Sequence, residues 1–168
     1  MPIHYGSQIE EHHQVRESVG VFDVSHMVVV DLAGRDSKAL LQTLLANDVN
    51  KLQKDGKALY SCMLNTNGGV IDDLIVYRRA ADHYRLVLNA GTATDDLEWI
   101  TEQSKNSTVA IEKQPELAIL AIQGPKARQI TARLLGQIPM LMELPRFHCL
   151  EHDELFIART GYTGEDGF

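Results

Sequence analysis

The sequence predicts an α+β protein built around a ferredoxin-like split βαβ unit, and three observations predict it. Apolar runs of period two alternate with runs of helical period, in the order β-α-β-β-β-α-β across residues 27–113. The stretch NTNGG at residues 65–69 joins two strand-like runs and marks a hairpin, because Asn and Gly tolerate positive φ. A strand-glycine-helix pattern occurs twice, as VVVDLAGRDSKALLQTLL and LAILAIQGPKARQITARLL. Each copy ends in a Leu pair, which reads as a weak internal repeat of one βα unit. Limited strand-turn-helix chemistry also produces such likeness.

Taken in order, residues 8–19 (QIEEHHQVRESV) carry Ile9, Val15 and Val19 on one side and charge on the other, so a helix is expected, stopped at Gly20. The run VFDVSHMVVVDLAG reads as one extended segment that turns at Gly34. Asp36 can cap the following helix, SKALLQTLLAND, whose apolar stripe is Leu40, Leu41, Leu44 and Leu45. KALYSCML and GVIDDLIVYRR flank the hairpin as strands, and HYRLVLNA is a third. TATDDLEWITEQS reads as a helix capped by Thr92 or Thr94, and STVAIEK as a closing strand. A second unit follows: strand LAILAIQG, helix PKARQITARLLG with Pro125 in its first turn and Gly136 past its end, then strands FHCLEH and LFIART.

Composition narrows the function classes. The chain has 168 residues, with 16 basic and 23 acidic side chains and a net charge of −7. That balance argues against general nucleic-acid binding, which needs a basic face. No apolar run approaches the roughly 20 residues that span a bilayer, and no leader-like start is seen, so no membrane role is expected. Cys62 and Cys149 are far apart, which points to thiols in a reducing compartment. His12 and His13 are adjacent, and among His12, His13, His26, His83 and His148 no two stand at a metal-binding spacing, so no metal is expected.

The residues that raise a chemical question are Asp72 and Asp73, adjacent within an apolar strand. Side chains alternate along a strand, so the two must point to opposite faces, and at most one belongs to any given site. Asp72 shares its face with Val70, Leu74 and Val76; Asp73 shares the other with Ile71, Ile75 and Tyr77. Both faces look made for burial, where an unpaired carboxylate is costly. One reading is a satisfied polar residue near a strand end. The other is a carboxylate in a pocket, able to orient or deprotonate an amine. VLNAGTA ends a strand at a helix start, where Asn89 and free N–H groups can meet a ligand. RTGYTGEDGF matches neither a calcium loop nor a phosphate loop, leaving Tyr162 and Glu165 without a motif of their own.

Together, HYGSQIEEHHQVRESVGVFDVSHM, LLANDVNKL, GKALYSCMLNTNGGVIDDLIVYR, LAIQGP and RTGYTGEDGF resemble the T-protein family of the glycine cleavage system, the tetrahydrofolate-dependent aminomethyltransferases. The resemblance covers the whole chain and about the N-terminal half of a family member. It implies a three-lobed clover-leaf with folate in a central channel. Residues 27–113 would form a lobe inserted within an outer lobe of residues 1–26 and 114–168, with the C-terminal barrel lobe absent. The implied reaction passes the one-carbon unit of aminomethyl-lipoyl H-protein to tetrahydrofolate and releases ammonia. By the same resemblance Asp72 is the catalytic carboxylate, and Met27, Tyr60, Asp72, Asn89, Tyr162 and Glu165 contact folate. Asp73 is left as a structural partner on the opposite face. The family's folate-contacting arginine and its H-protein-facing basic residues fall beyond Phe168, so these residues alone are expected to be inactive. The implied setting is cytoplasmic, or the mitochondrial matrix in a eukaryote. Two other classes share parts of the pattern: a folate-binding protein of iron–sulfur cluster maintenance, and the folate domain of a dimethylglycine- or sarcosine-oxidising flavoenzyme.

Overall fold

The computed structural model describes residues 4–136 and 139–168. Helix α1 (Gln8–Glu17) is capped by Ser7, whose hydroxyl accepts from the Glu10 N–H, and it ends at Ser18. Gly20 does not stop this helix; it opens strand β1 (Gly20–Asp23). The long extended run expected next is broken between β1 and β2 (Val28–Ala33), which belong to different sheets. Then come α2 (Ser37–Leu44), a short 3-10 turn (Val49–Lys51), β3 (Ala58–Leu64), β4 (Val70–Ala80), β5 (His83–Leu88), α3 (Ala93–Ser104) and β6 (Ala110–Lys113). The chain continues with β7 (Leu120–Gln123), α4 (Ala127–Leu134), α5 (Pro139–Glu143), β8 (Cys149–His152) and β9 (Leu155–Ala158). Pro125 lies before α4 rather than in its first turn, and α5 has no counterpart among the expected elements.

The chain forms two compact units: Ser25–Leu117, and the described residues through Val24 together with Ala118–Phe168. In the first unit a five-stranded sheet runs in the order β3-β4-β5-β2-β6, each neighbouring pair antiparallel. Strands β2 and β4 therefore run parallel with β5 between them, which is the split βαβ arrangement, and β3 is the additional edge strand. One face carries the core. Leu40, Leu41, Leu44 and Leu45 from the α2 region and Leu97 and Ile100 from α3 pack with Val30, Leu32, Leu74, Val76, Leu86 and Leu88. Burying some twenty apolar side chains at about 1.5–3 kcal/mol each supplies the main drive for this unit.

The Asn65–Gly69 turn is closed by its own first residue. The Asn65 Oδ1 accepts from the N–H groups of Asn67 and Gly69, both at 2.9 Å. Two of the anticipated caps behave differently. Asp36 and Thr92 sit at helix starts, but neither side chain caps its helix. Asp36 instead accepts from the Thr108 N–H at 2.7 Å and so ties α2 to the approach of β6. Thr92 is used at the site described below.

In the second unit β1 pairs antiparallel with β7, and β8 with β9. Leu141 of α5 is fully buried against Ala132 and Ile157, which gives that short helix its reason to form. The two strand-glycine-helix corners are built alike. Gly34 and Gly124 have φ of 144° and 134°, which a side chain would strain. A Cβ would also meet the Thr108 carbonyl oxygen at 2.1 Å in the first and the Ser18 carbonyl oxygen at 2.5 Å in the second. Each glycine carbonyl then accepts from the first turn of its helix, at Ser37 and Ala127.

Candidate functional site

Register explains why the sheet concentrates polar side chains at one end. Cys62 pairs with Asp73 and Met63 with Asp72. Met63, Leu74 and Val76 belong to the core packed by the helices, so Asp72 lies on that helix-covered face. Asp73 lies on the opposite face with Tyr60, Cys62, Ile75 and Val87, since Tyr60 and Val87 both pair with Ile75. Val28 pairs with Leu88, so Met27 and Asn89 leave the paired strands at this same end. Asn89 reaches both aspartates from there, and Met27 directly precedes β2.

The Tyr60 hydroxyl donates to Asp73 Oδ2, although Tyr60 itself remains 49% exposed. This bond, and the negative charge behind it, raises the Tyr60 pKa above its ordinary value. Asn89 links the two faces. Its Nδ2 lies 3.0 Å from Asp72 Oδ1, 3.0 Å from the Asp73 carbonyl oxygen and 3.2 Å from Asp73 Oδ1. The Thr92 hydroxyl donates to Asp72 Oδ2 at 2.7 Å. Burial pushes the Asp72 carboxyl up, but the Thr92 and Asn89 hydrogen bonds outweigh it and hold the group below the usual carboxylate range.

Asp72 and Tyr60, expected to line one pocket, are thus on opposite sides of the sheet. The carboxylate that faces Tyr60 is Asp73, and its structural partner is Tyr60 itself. Neither aspartate is left unpaired. Alternation alone does not choose between them, because both faces of β4 read as apolar.

Tyr162 and Glu165 belong to the second unit. Glu165 is half-buried and pairs with Arg16 at 2.5 Å, and Tyr162 is 52% exposed. Arg159 and Asp166 hold the same loop by two hydrogen bonds, at 2.8 and 2.6 Å. The Arg159 guanidinium keeps the Asp166 carboxyl below its ordinary range. Gln123, fully buried, accepts from the Thr163 hydroxyl at 3.1 Å. The GYTGED stretch is therefore an anchored loop.

One residue at the sheet end was missed. Asp96, on α3, is fully buried, and neither of its carboxyl oxygens has a hydrogen-bond partner among the described residues. Burial, and then the neighbouring Asp72 carboxylate, push its pKa up to about 7. The signal was present: Asp96 stands three residues after buried Ala93 and four before buried Ile100, which puts it on the core stripe of the helix.

Among the described residues, no group of three or more His, Cys, Asp or Glu is placed to hold a metal ion. No described helix is long and apolar enough to cross a membrane.

The profile of the GCVT N-terminal domain family matches residues 1–168, and the chain belongs to that family. It is 57% identical over 175 residues to an aminomethyltransferase of Stenotrophomonas maltophilia, covering all of this chain and 47% of that protein. An aminomethyltransferase of Legionella pneumophila is 50% identical, covering 99% of this chain and 47% of its own length. The chain thus spans about half the length of the curated relatives it matches. A solved structure, the glycine cleavage system aminomethyltransferase T of Bartonella henselae, superposes with a TM-score of 0.84 at 34% identity, over 94% of this chain and 42% of that one.

Proposed function

We propose that this chain forms the N-terminal part of a tetrahydrofolate-dependent aminomethyltransferase of glycine cleavage. The reaction takes aminomethyl-lipoyl H-protein and tetrahydrofolate to dihydrolipoyl H-protein, 5,10-methylenetetrahydrofolate and ammonia. Family membership and the relatives' names support the transferase over an iron–sulfur maintenance protein or a flavoenzyme domain. The single observation that carries the reading is the placement of the Asp73 carboxylate on the sheet face shared with Tyr60, held by the Tyr60 hydroxyl and the Asn89 amide.

The residue set at that end of the sheet suits a folate. Met27 offers an apolar wall, and Asn89 and Tyr60 offer polar edges. When bound, tetrahydrofolate supplies the nitrogen nucleophile that accepts the one-carbon unit. Asp73 carries negative charge at a fixed position, where it favours positive charge developing on an amine or on the transferring carbon. Its orientation is set before any ligand arrives, because Tyr60 and Asn89 already hold it. Asp72, the residue expected to catalyse, serves on this reading as the anchor for Asn89 and Thr92 from the helix-covered side. Within its own unit, Glu165 offers a carboxylate suited to accept from ligand N–H groups if it exchanges its Arg16 partner.

The test is transfer of labelled one-carbon unit to tetrahydrofolate in the full-length protein, with lipoylated H-protein supplied. Formation of labelled methylenetetrahydrofolate that depends on both partners is expected; its absence overturns the proposal. The 168 residues alone are expected to give no turnover, and robust turnover from them would show that the remaining length of the relatives is dispensable.

A further inference from the structure

The end of the sheet that carries Asp73 holds more acceptors than hydrogens. The Thr92 hydroxyl has a single hydrogen, and it is directed at Asp72 Oδ2. The Asn89 amide has two hydrogens and faces three acceptors, on Asp72 and Asp73. Asp96 adds two further oxygens, fully buried and without a donor. The groups acting on Asp96 are the Asp72 carboxylate from β4, the Thr92 hydroxyl from the loop before α3, and Asp95 from its own helix. The charged members of that set are negative. The start of α3 favours an anion by only about 0.3–1 kcal/mol. An uncompensated buried carboxylate costs far more than that.

We propose that Asp96 is a positioning residue for the carboxylate pair at this sheet end. In its protonated form it donates to Asp72, so that Asp72 stays an anion that accepts from Thr92, Asn89 and Asp96 together. Asn89, fixed by Asp72, in turn fixes Asp73 on the other face. One added proton reduces the shortage of hydrogens at this sheet end, and the chain Asp96–Asp72–Asn89–Asp73–Tyr60 then crosses the sheet from the helix side to the Tyr60 side. The ionisation of Asp96 is consistent with this role, since its carboxyl is pushed up to about 7 by burial and by Asp72. Loss of that proton sets two carboxylates against each other and loosens Asn89 from Asp72. The functional consequence for Asp73 rests on the reading given under Proposed function.

The experiment is a carboxyl titration of the 168-residue chain by carbon-detected NMR, from about pH 5 to about pH 9, with Asp96→Asn used to assign the Asp96 signal. Asp96 is expected to titrate with a midpoint near 7, and the Asn89 side-chain amide and Asp73 carboxyl signals are expected to move with the same midpoint. In Asp96→Asn, whose amide can still donate to Asp72, those two signals should hold their low-pH positions throughout. A midpoint for Asp96 in the ordinary carboxylate range overturns the proposal. So does an Asp96 titration that Asn89 and Asp73 do not follow. The wild-type titration decides even if the variant fails to fold. Tetrahydrofolate affinity of the full-length protein, followed over the same range, should weaken several-fold in the wild type and stay flat in Asp96→Asn. A full-length protein that shows the expected titrations but binds tetrahydrofolate at no pH would count against the functional reading alone.

Discussion

The two ends of the five-stranded sheet solve the same problem in opposite ways. At the end formed by the close of β2 and the start of β5, Asp31 is buried and surrounded by basic side chains. Arg85 grips it at 2.8 Å through two nitrogens, Arg79 lies at 3.0 Å and His83 at 3.8 Å. Burial pushes the Asp31 carboxyl up, but the Arg85 hydrogen bond and charge, with Arg79 and His83, hold it below its usual range. At the far end Asp72, Asp73 and Asp96 are held by neutral donors and by one another. The first end is an ion cluster whose charge is matched by register, since Asp31 pairs directly with Arg85 across the strands. The second end concentrates negative charge and leaves part of it facing an exposed tyrosine. Charge left unmatched by the fold is charge available to a ligand.

The comparison can be broken at either end. Arg85→Ala should have the largest effect on stability, because it leaves Asp31 buried with weaker partners. A loss of about 3–5 kcal/mol is expected in denaturant unfolding of the chain, and a loss below about 1 kcal/mol would show that Arg79 and His83 suffice.

The next largest effect concerns Asp96 and has a definite sign. Its folded pKa, about 7, lies above the ordinary carboxyl value of 3.8, so the stability it confers is full below about pH 4 and falls as pH rises toward 7. Moving a carboxyl from 3.8 to about 7 corresponds to at most roughly 4 kcal/mol. Asp96→Asn should remove that slope, giving a flatter dependence of unfolding free energy on pH than the wild type across this window. Parallel slopes for the two proteins would contradict the difference drawn between the ends. Asp72 works in the other direction. Its folded pKa is lowered, so its contribution is present above the ordinary carboxyl value and fades as pH falls below it.

Thr92→Val tests a smaller piece. Thr92 occupies the start of α3 without capping it, so the substitution removes mainly the hydrogen bond to Asp72. About 1.5–3 kcal/mol is expected from denaturant unfolding, as for a hydrogen bond to a charged group. Smallest is Arg16→Ala in the other unit. It should cost less than about 1 kcal/mol, because Arg16 is half exposed and solvent screens its side of the pair with Glu165.

Much of this architecture was legible in the residues. The hairpin at Asn65–Gly69 rests on local turn chemistry, and the Leu40, Leu41, Leu44 and Leu45 stripe rests on helical period, so both follow from short-range pattern. Element ends were less legible where tertiary partners compete for a side chain. Asp36 gives its carboxylate to Thr108 and Thr92 gives its hydroxyl to Asp72, so neither capped its own helix. The break between β1 and β2 was hidden because both pieces are apolar and extended, while their partners, β7 on one side and β5 and β6 on the other, are remote in sequence. The same cause hid the orientation of the aspartates. Alternation separates Asp72 from Asp73, but which face the helices cover depends on α2 and α3 packing over Leu74 and Val76. Asp96 was readable in principle from its place on the stripe of α3, and its proximity to Asp72 was not, because β4 and α3 meet only in the fold.

The placement of the functional carboxylate on the Tyr60 side is tested most directly by comparing Asp73→Asn with Asp72→Asn in the full-length protein. The measurement is the single-turnover rate of one-carbon transfer from aminomethyl-lipoyl H-protein to tetrahydrofolate, with folding of each variant checked by circular dichroism. Asp73→Asn should lower the rate by about two to three orders of magnitude, as loss of one fixed electrostatic group does. Asp72→Asn should lower it less, and mainly through looser binding of tetrahydrofolate. The reverse order, with Asp73→Asn near wild type and Asp72→Asn nearly inactive, would return the catalytic role to the helix-covered face.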